Sequence, residues 1–397
     1  MPLLFVAVIA MLVQQTMATV SKTVIPVLFP VIAPELGVPS ESVLGFTWIF
    51  ACAGMFVMAG CGTFIIRYGA IRISQVGGIL MAAGLGLAAL AGLDQPIGFA
   101  ALALGAVLVS AGSTSSTPAS SDILARYSPV KFAPLIFSIK QTGVPAGIAI
   151  AGALVLPLSV WLGWQNAILA VAGLCLAIAL GLQPCRRAFD GNRQPGQKLA
   201  FGDLKETVRN VLADPTLRTM ALAAFIFVGL QSIFTNFTVV YLYEELHYSL
   251  VEAGAILGLS TLVAVPARIF WGVVAATLVP ARPLLGILAG VMAISAGTMG
   301  AFSPGWSTWQ TTTVCVVVSM TALSWHGVLL SEVARAAPKD GVGRATGGVL
   351  AFGTAGQLAS PLLFGAVYFA LGYQAAYVAV ALPALTVAVL MLRRPGR

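Results

Sequence analysis

Apolar runs long enough to cross a bilayer alternate with short polar breaks along almost the whole chain. A hydrocarbon core of about 30 Å requires about 20 apolar residues in a helix. Twelve segments meet that length: 4–33, 43–65, 71–93, 97–121, 133–160, 165–184, 218–243, 250–275, 283–303, 309–332, 344–370 and 374–392. The pattern predicts an all-α integral membrane protein with twelve transmembrane helices. The opening stretch, MPLLFVAVIAMLV, lacks a basic n-region and a convincing cleavage site, so it reads as the first membrane helix and not as a removable signal.

The longest polar stretch, 185–217, divides the chain into an N-terminal six-helix bundle (1–184) and a C-terminal one (218–397). Within this linker, FGDLKETVRNVL predicts a short amphipathic helix lying on the inner membrane surface. The two halves repeat each other at an offset of 209 or 210 residues. Glu35-Leu36 matches Glu245-Leu246, and Gly62 matches Gly272. Ser121-Asp122, followed by Arg126 and Pro129, matches Ser331-Glu332, followed by Arg335 and Pro338. LGWQNAILAV at 162–171 matches LGYQAAYVAV at 371–380. Parallel repeats of this kind imply two pseudo-symmetric bundles related by an axis along the membrane normal.

Composition fits the pattern. Of 397 residues, 59% are hydrophobic and 9% charged, against about 25% charged in soluble domains. The net charge of +8 lies in bursts between apolar runs and not in a nucleic-acid-binding face. One set of connections holds Arg67 and Arg72, Arg126 and Lys131, Arg186 through Arg218, Arg282, Arg335 with Lys339 and Arg344, and Arg393, Arg394 and Arg397. The other holds Glu35, Glu41, Asp94, Glu244 and Glu245, with no Lys or Arg. The positive-inside rule places the first set, and both termini, in the cytoplasm. Trp161, Trp164, Trp306 and Trp309 fall at the opposite ends, where an aromatic belt is expected. The five cysteines show no metal-ligand spacing, and nothing in the chain calls for a metal or cofactor.

The loop from Gly62 through Arg67 and Gly69 to Arg72 resembles the signature loop of the major facilitator superfamily. Ile66 stands where that pattern has an acid, and in the second copy Ala276 follows Gly272 at the same place. SIKQTGVPAG (138–147) and SWHGVLLSEVARAAP (324–338) are similar to a bacterial branch with cyanate-type and organic-anion members. The resemblance implies alternating access by two rocking halves around a central site, in a bacterial inner membrane. Drug–proton antiporters resemble this chain less, because helix 5 reads GVPAGIAIAG without their Gly-Pro pair.

Ionisable groups inside membrane spans are costly and mark pathways. Lys22, Lys140, Arg268 and His326 lie within spans, and no Asp or Glu lies near the middle of one. All four break the internal repeat. Lys22 either lines the substrate path or bonds helix-end carbonyls. Arg268 suits bidentate carboxylate recognition or a gate pair with Glu332. With Lys22 it is similar to the charge plan of monocarboxylate transporters, although Ala264 stands where those carry an acid. Lys140, beside Gln141, is a substrate group or a snorkelling lysine. His326, beside Trp325, suits proton coupling or an interhelical hydrogen bond. Gln14, Gln15, Gln231, Asn236 and Gln357 are neutral polar groups for the substrate or for helix–helix contact. Asp122 and Glu332, at inner helix ends, suit a gate, paired with Arg67 or Arg72 and with Arg268 or Arg282 respectively.

These features lead to a monomeric, proton-coupled secondary transporter of a small organic anion, a carboxylate first. The alternative is a multidrug or metabolite efflux antiporter, which calls for a deep carboxylate. A membrane enzyme would cluster His, Asp or Cys in a surface loop, whereas the chain has two His and His247 stands alone.

Overall fold

In a computed structural model of the chain, residues 2–37, 43–92, 97–197 and 203–393 are described. Glu41, Asp94, Arg394 and Arg397 lie outside them. The described residues form helices joined by short turns. The first half carries α1 (Pro2–Leu36), α2 (Val43–Tyr68), α3 (Ala70–Ala89), α4 (Ile97–Thr114), α5 (Ser116–Tyr127), α6 (Ala133–Gln141), α7 (Gly143–Ile150), α8 (Leu156–Leu162) and α9 (Trp164–Gly181). The linker carries α10 (Arg186–Phe189) and α11 (Asp203–Ala213). The second half carries α12 (Pro215–Glu244), α13 (Leu250–Thr277), α14 (Ala281–Met299), α15 (Thr308–Ala322), α16 (His326–Ala336) and α17 (Val342–Leu392).

Eleven continuous stretches among these are long and apolar enough to span a membrane. The eleventh, α17, has 51 residues and holds two of the twelve expected spans, because it turns at Gly372 (φ 83°, ψ 171°). Gly163, between α8 and α9, has nearly the same backbone, φ 80° and ψ 153°. That region is open essentially to glycine alone. Leu162-Gly163-Trp164 and Leu371-Gly372-Tyr373 thus repeat in conformation as well as in sequence.

Several spans are broken near their middle. α4 gives way to α5 at Ser115, and α15 to α16 at Leu323-Ser324-Trp325, again at an offset of about 210 residues. In the first case Pro118 has no N–H for the carbonyl of Thr114, four residues back. Ser115 Oγ and Thr114 Oγ1 also donate to the carbonyls of Gly112 and Ser110, a bonding mode that bends helices. α6 and α7 part at Thr142, where Pro145 leaves the Gln141 carbonyl without its helical donor. A π-turn follows at Ala151–Val155.

Packing divides the chain into two compact units. One comprises Met1–Ser128, Lys140–Asn210 and Ala337–Ala351, the other Pro129–Ile139, Val211–Ala336 and Phe352–Arg397. The start of α17 therefore belongs with the first half of the sequence, and most of α6 with the second. Within the first unit, Gly62 admits Arg344: a Cβ there would lie 2.3 Å from Arg344 Cα. Within the second, Gly272 admits Ser138, at 2.7 Å from its Cβ. The two repeat-related glycines thus serve the same close crossing. The core of the first unit gathers Val24, Leu28 and Ile32 of α1 with Leu85 of α3, Val109 of α4 and Trp164 and Ile168 of α9.

Candidate functional site

The first unit buries a lysine. Lys140, the penultimate residue of α6, is 1% exposed. Its Nζ donates to Gln15 Oε1 on α1 and, at 3.5 Å, to Gln141 Oε1. Thr117 Oγ1, on α5, donates to the same Gln15 oxygen at 3.0 Å. Among the described residues, both partners of the ammonium are neutral oxygens and no carboxylate pairs with it. Three helices meet here because their sequences let them. Gly143 and Gly147, four residues apart on α7, face α1 so closely that a Cβ would lie 2.9 Å from Thr16 Oγ1 and 2.6 Å from the Thr16 carbonyl. Small residues at this spacing draw membrane helices together. The breaks at Ser115 and Thr142 place Thr117 and Lys140 where backbone groups are released from helical bonding.

An ammonium has three N–H donors. Two point at Gln15 and Gln141, so one remains to meet a bound acceptor. Gln14, next along α1, is 3% exposed, and neither of its amide atoms has a partner among the described residues. Lys22 lies seven residues beyond Gln15, about two turns further along nearly the same face of α1, and is half-buried.

The second unit buries a cation of its own. Arg268 of α13 is 5% exposed. Ser324 donates to the Ala264 carbonyl at 3.1 Å, and Trp271 Nε1 to the Met320 carbonyl at 2.8 Å, tying α13 to the α15–α16 break. Trp325 is buried, and His326 stacks on it at 3.8 Å between ring centroids. Phe227 meets the same indole edge-on. Gln231 is half-buried with its Oε1 unpartnered. Asn236 donates to Ser232 Oγ at 3.2 Å, and Gln357 is exposed.

The acids at the helix ends pair differently from expectation. Asp122 pairs with Arg126 at 3.0 Å, not with Arg67 or Arg72. Glu332 pairs with Arg335 through both oxygens, not with Arg268 or Arg282. Both are pairs within one helix, which reach each other without any movement of the backbone. Arg282 forms no ion pair among the described residues. An acid that was not singled out from the sequence lies beside the signature loop. Asp190, just after α10, accepts the N–H groups of Ile71 and Arg72 at 2.8 and 3.0 Å, capping α3 from a distance. Gly69, with φ 96°, leaves the room: its Cβ would fall 2.3 Å from Asp190 Cγ. Burial pushes the Asp190 carboxyl above the usual carboxylate range, against those two N–H donors and the nearby Arg186 and Arg126, which pull it down.

Of the residues expected from the sequence, Lys140, Gln141 and Gln15 come together, and Trp325 with His326. Thr117 was overlooked, although the polar run STSSTPASS inside a membrane span was a visible signal.

The Major Facilitator Superfamily sequence model matches residues 11–332. The chain belongs to the major facilitator superfamily. It is a multi-pass membrane protein of the superfamily's transporter fold, with helices and no strands among its described residues. No curated protein sequence matches it. Solved structures with the same fold include the human organic anion transporter MFSD10 (TETRAN), with a TM-score of 0.75, 16% identity, and 98% of this chain and 99% of that one covered. A bacterial homologue of the iron transporter ferroportin has a TM-score of 0.77 at 16% identity, covering 98% and 97%. The E. coli fucose:proton symporter has 0.74 at 13%, covering 98% of each chain.

Proposed function

We propose that this superfamily member carries a small organic anion, a carboxylate first, by proton-coupled secondary transport, and that Lys140 is its anchoring cation. The observation that carries this reading is a fully buried ammonium whose partners among the described residues are neutral oxygens. A charge in a low-dielectric site without a counter-charge favours a ligand that supplies one. Gln15, Gln141 and Thr117 orient the ammonium. Lys22 in the same unit and Arg268 in the other are further candidate anion-attracting groups, and His326 on Trp325 is the candidate proton carrier. The structurally similar proteins include one described as an organic anion transporter and two as proton symporters, which accords with this assignment. Asp122 and Glu332, with Arg67, Arg72 and Arg282, remain the proposed gate. The charge asymmetry of the loops supports a bacterial cytoplasmic membrane with both termini inside.

The test is uptake of a panel of small carboxylates, with a neutral sugar and a lipophilic cation as controls, into proteoliposomes with and without an inward proton gradient. The expected result is gradient-driven uptake of at least one carboxylate. Lys140→Gln should abolish it, and Lys140→Arg should retain part. Carriage of the cation with no carboxylate taken up would replace this reading with the efflux-antiporter one.

A further inference from the structure

The first unit carries a second feature, apart from Lys140, that shares Arg67 and Arg72 with the proposed gate and adds arginines of the linker. Two adjoining cavities open at the end of α2, the start of α3 and the linker. The smaller, about 280 Å³, is walled by Arg67, Tyr68, Arg72, Arg186 and Arg193. The larger, about 880 Å³, shares Arg186 and Arg193 and adds Arg187 and Asp190. Asp190 is the one carboxylate in either wall. Both its oxygens are already engaged by backbone N–H groups, and Arg186 stands 3.9 Å from one of them. Arg67, Arg72, Arg187 and Arg193 form no ion pair among the described residues. Arg67 is held in place by the Gln197 carbonyl at 3.0 Å. Five guanidiniums around one committed carboxylate leave a concave surface with strong positive charge.

We propose that this basic hollow binds a phosphate-type anionic group, and that the headgroup of an acidic membrane phospholipid supplies it. Guanidinium forks match phosphate oxygens two at a time, which a lysine cannot do. Basic pockets beside membrane helices at the headgroup level suit acidic lipids. The depth is right, because the smaller cavity sits at Tyr68, the last residue of the α2 span. Phe64 and Tyr68 stack at 6.4 Å and are 45% and 40% exposed, an apolar wall on which an acyl chain could lie. The Arg67 guanidinium sits 5.4 Å from the Tyr68 ring, at the junction of that wall with the cavity. A bound headgroup would bridge α2, α3 and the linker, adding to the ties that Asp190, the Arg67–Gln197 bond and the Gln194–Ile66 backbone bond already make.

The full-length protein in detergent would be titrated with phosphatidylglycerol, phosphatidylcholine and inorganic phosphate, read by native mass spectrometry and thermal unfolding. The parent should bind phosphatidylglycerol in preference to phosphatidylcholine and unfold at a higher temperature with it. Arg186→Gln with Arg193→Gln should weaken that binding at least about tenfold, the equivalent of one lost charge-assisted contact. Changing both to Lys should restore part of it, and Lys131→Gln, at an exposed site outside the hollow, should change nothing. Arg193 is exposed, so Arg193→Gln alone gives a folded variant if the double one fails. Protection by inorganic phosphate equal to that by the lipid, lost in the same variants, would overturn the lipid as the source. Equal phosphatidylglycerol affinity in parent and Gln variants, or no preference over phosphatidylcholine together with no response to phosphate, would overturn the site.

Discussion

Lys140 is buried with no carboxylate partner among the described residues, so under the proposed function its position costs stability that a bound anion would offset. A lysine at the centre of a membrane helix is unfavourable by about 3 kcal/mol or more. Lys140→Met should therefore raise the unfolding temperature of the ligand-free protein while it abolishes anion binding. A loss of both would show that the ammonium is an architectural tie. Thr117→Val removes one O–H donor from Gln15 and should cost roughly 1 kcal/mol of binding, about fivefold in affinity. Calorimetry on purified protein checks both variants. The deep lysine was legible in the sequence because charge is rare there. Its partners were less so, because which of several polar residues meets it depends on how α1, α5 and α6 pack.

Glycine decides several elements. Gly69, Gly163 and Gly372 all have φ between 80° and 96° with extended ψ, a conformation that costs any other residue about 1–3 kcal/mol. Around Gly372 there is open space for a side chain, whereas Gly69 faces Asp190. Gly372→Ala should then lower thermal stability by the backbone term alone, and Gly69→Ala by more. Equal unfolding temperatures for the two variants would contradict this ordering. The Gly163 and Gly372 turns were foreshadowed by the LGW and LGY repeat. The last two spans meet directly at Gly372, whose non-helical backbone divides α17 into two arms. The expected amphipathic helix of the linker is α11, held by Arg344, which donates to Thr207 and pairs with Glu206 at 3.1 Å.

At the scale of the whole molecule, the alternation of basic and acidic loops predicts sidedness. In a cysteine-free background, His247→Cys should react with an impermeant thiol reagent added to intact cells, and Gly196→Cys only after the cells are opened. Both positions are exposed, so accessibility does not confuse the result. Reaction of Gly196→Cys from outside would reverse the topology. The grouping of residues 129–139 with the second unit and 337–351 with the first had no sequence signal beyond Gly62 and Gly272. Close crossings depend on the absence of a Cβ, and a sequence shows a glycine without showing what approaches it.

The number of spans, the internal repeat, the superfamily and the scarcity of deep charge were all determined by the sequence. Each follows from hydropathy, periodicity or a short motif, which act along the chain. The tertiary structure alone decided that Asp122 and Glu332 bind arginines of their own helices, that Asp190 caps α3, and that Gln15 meets both Lys140 and Thr117. Each of those choices is made by side chains far apart in sequence, or by competition between several possible partners at one helix end. The winner is set by distance once the helices have packed.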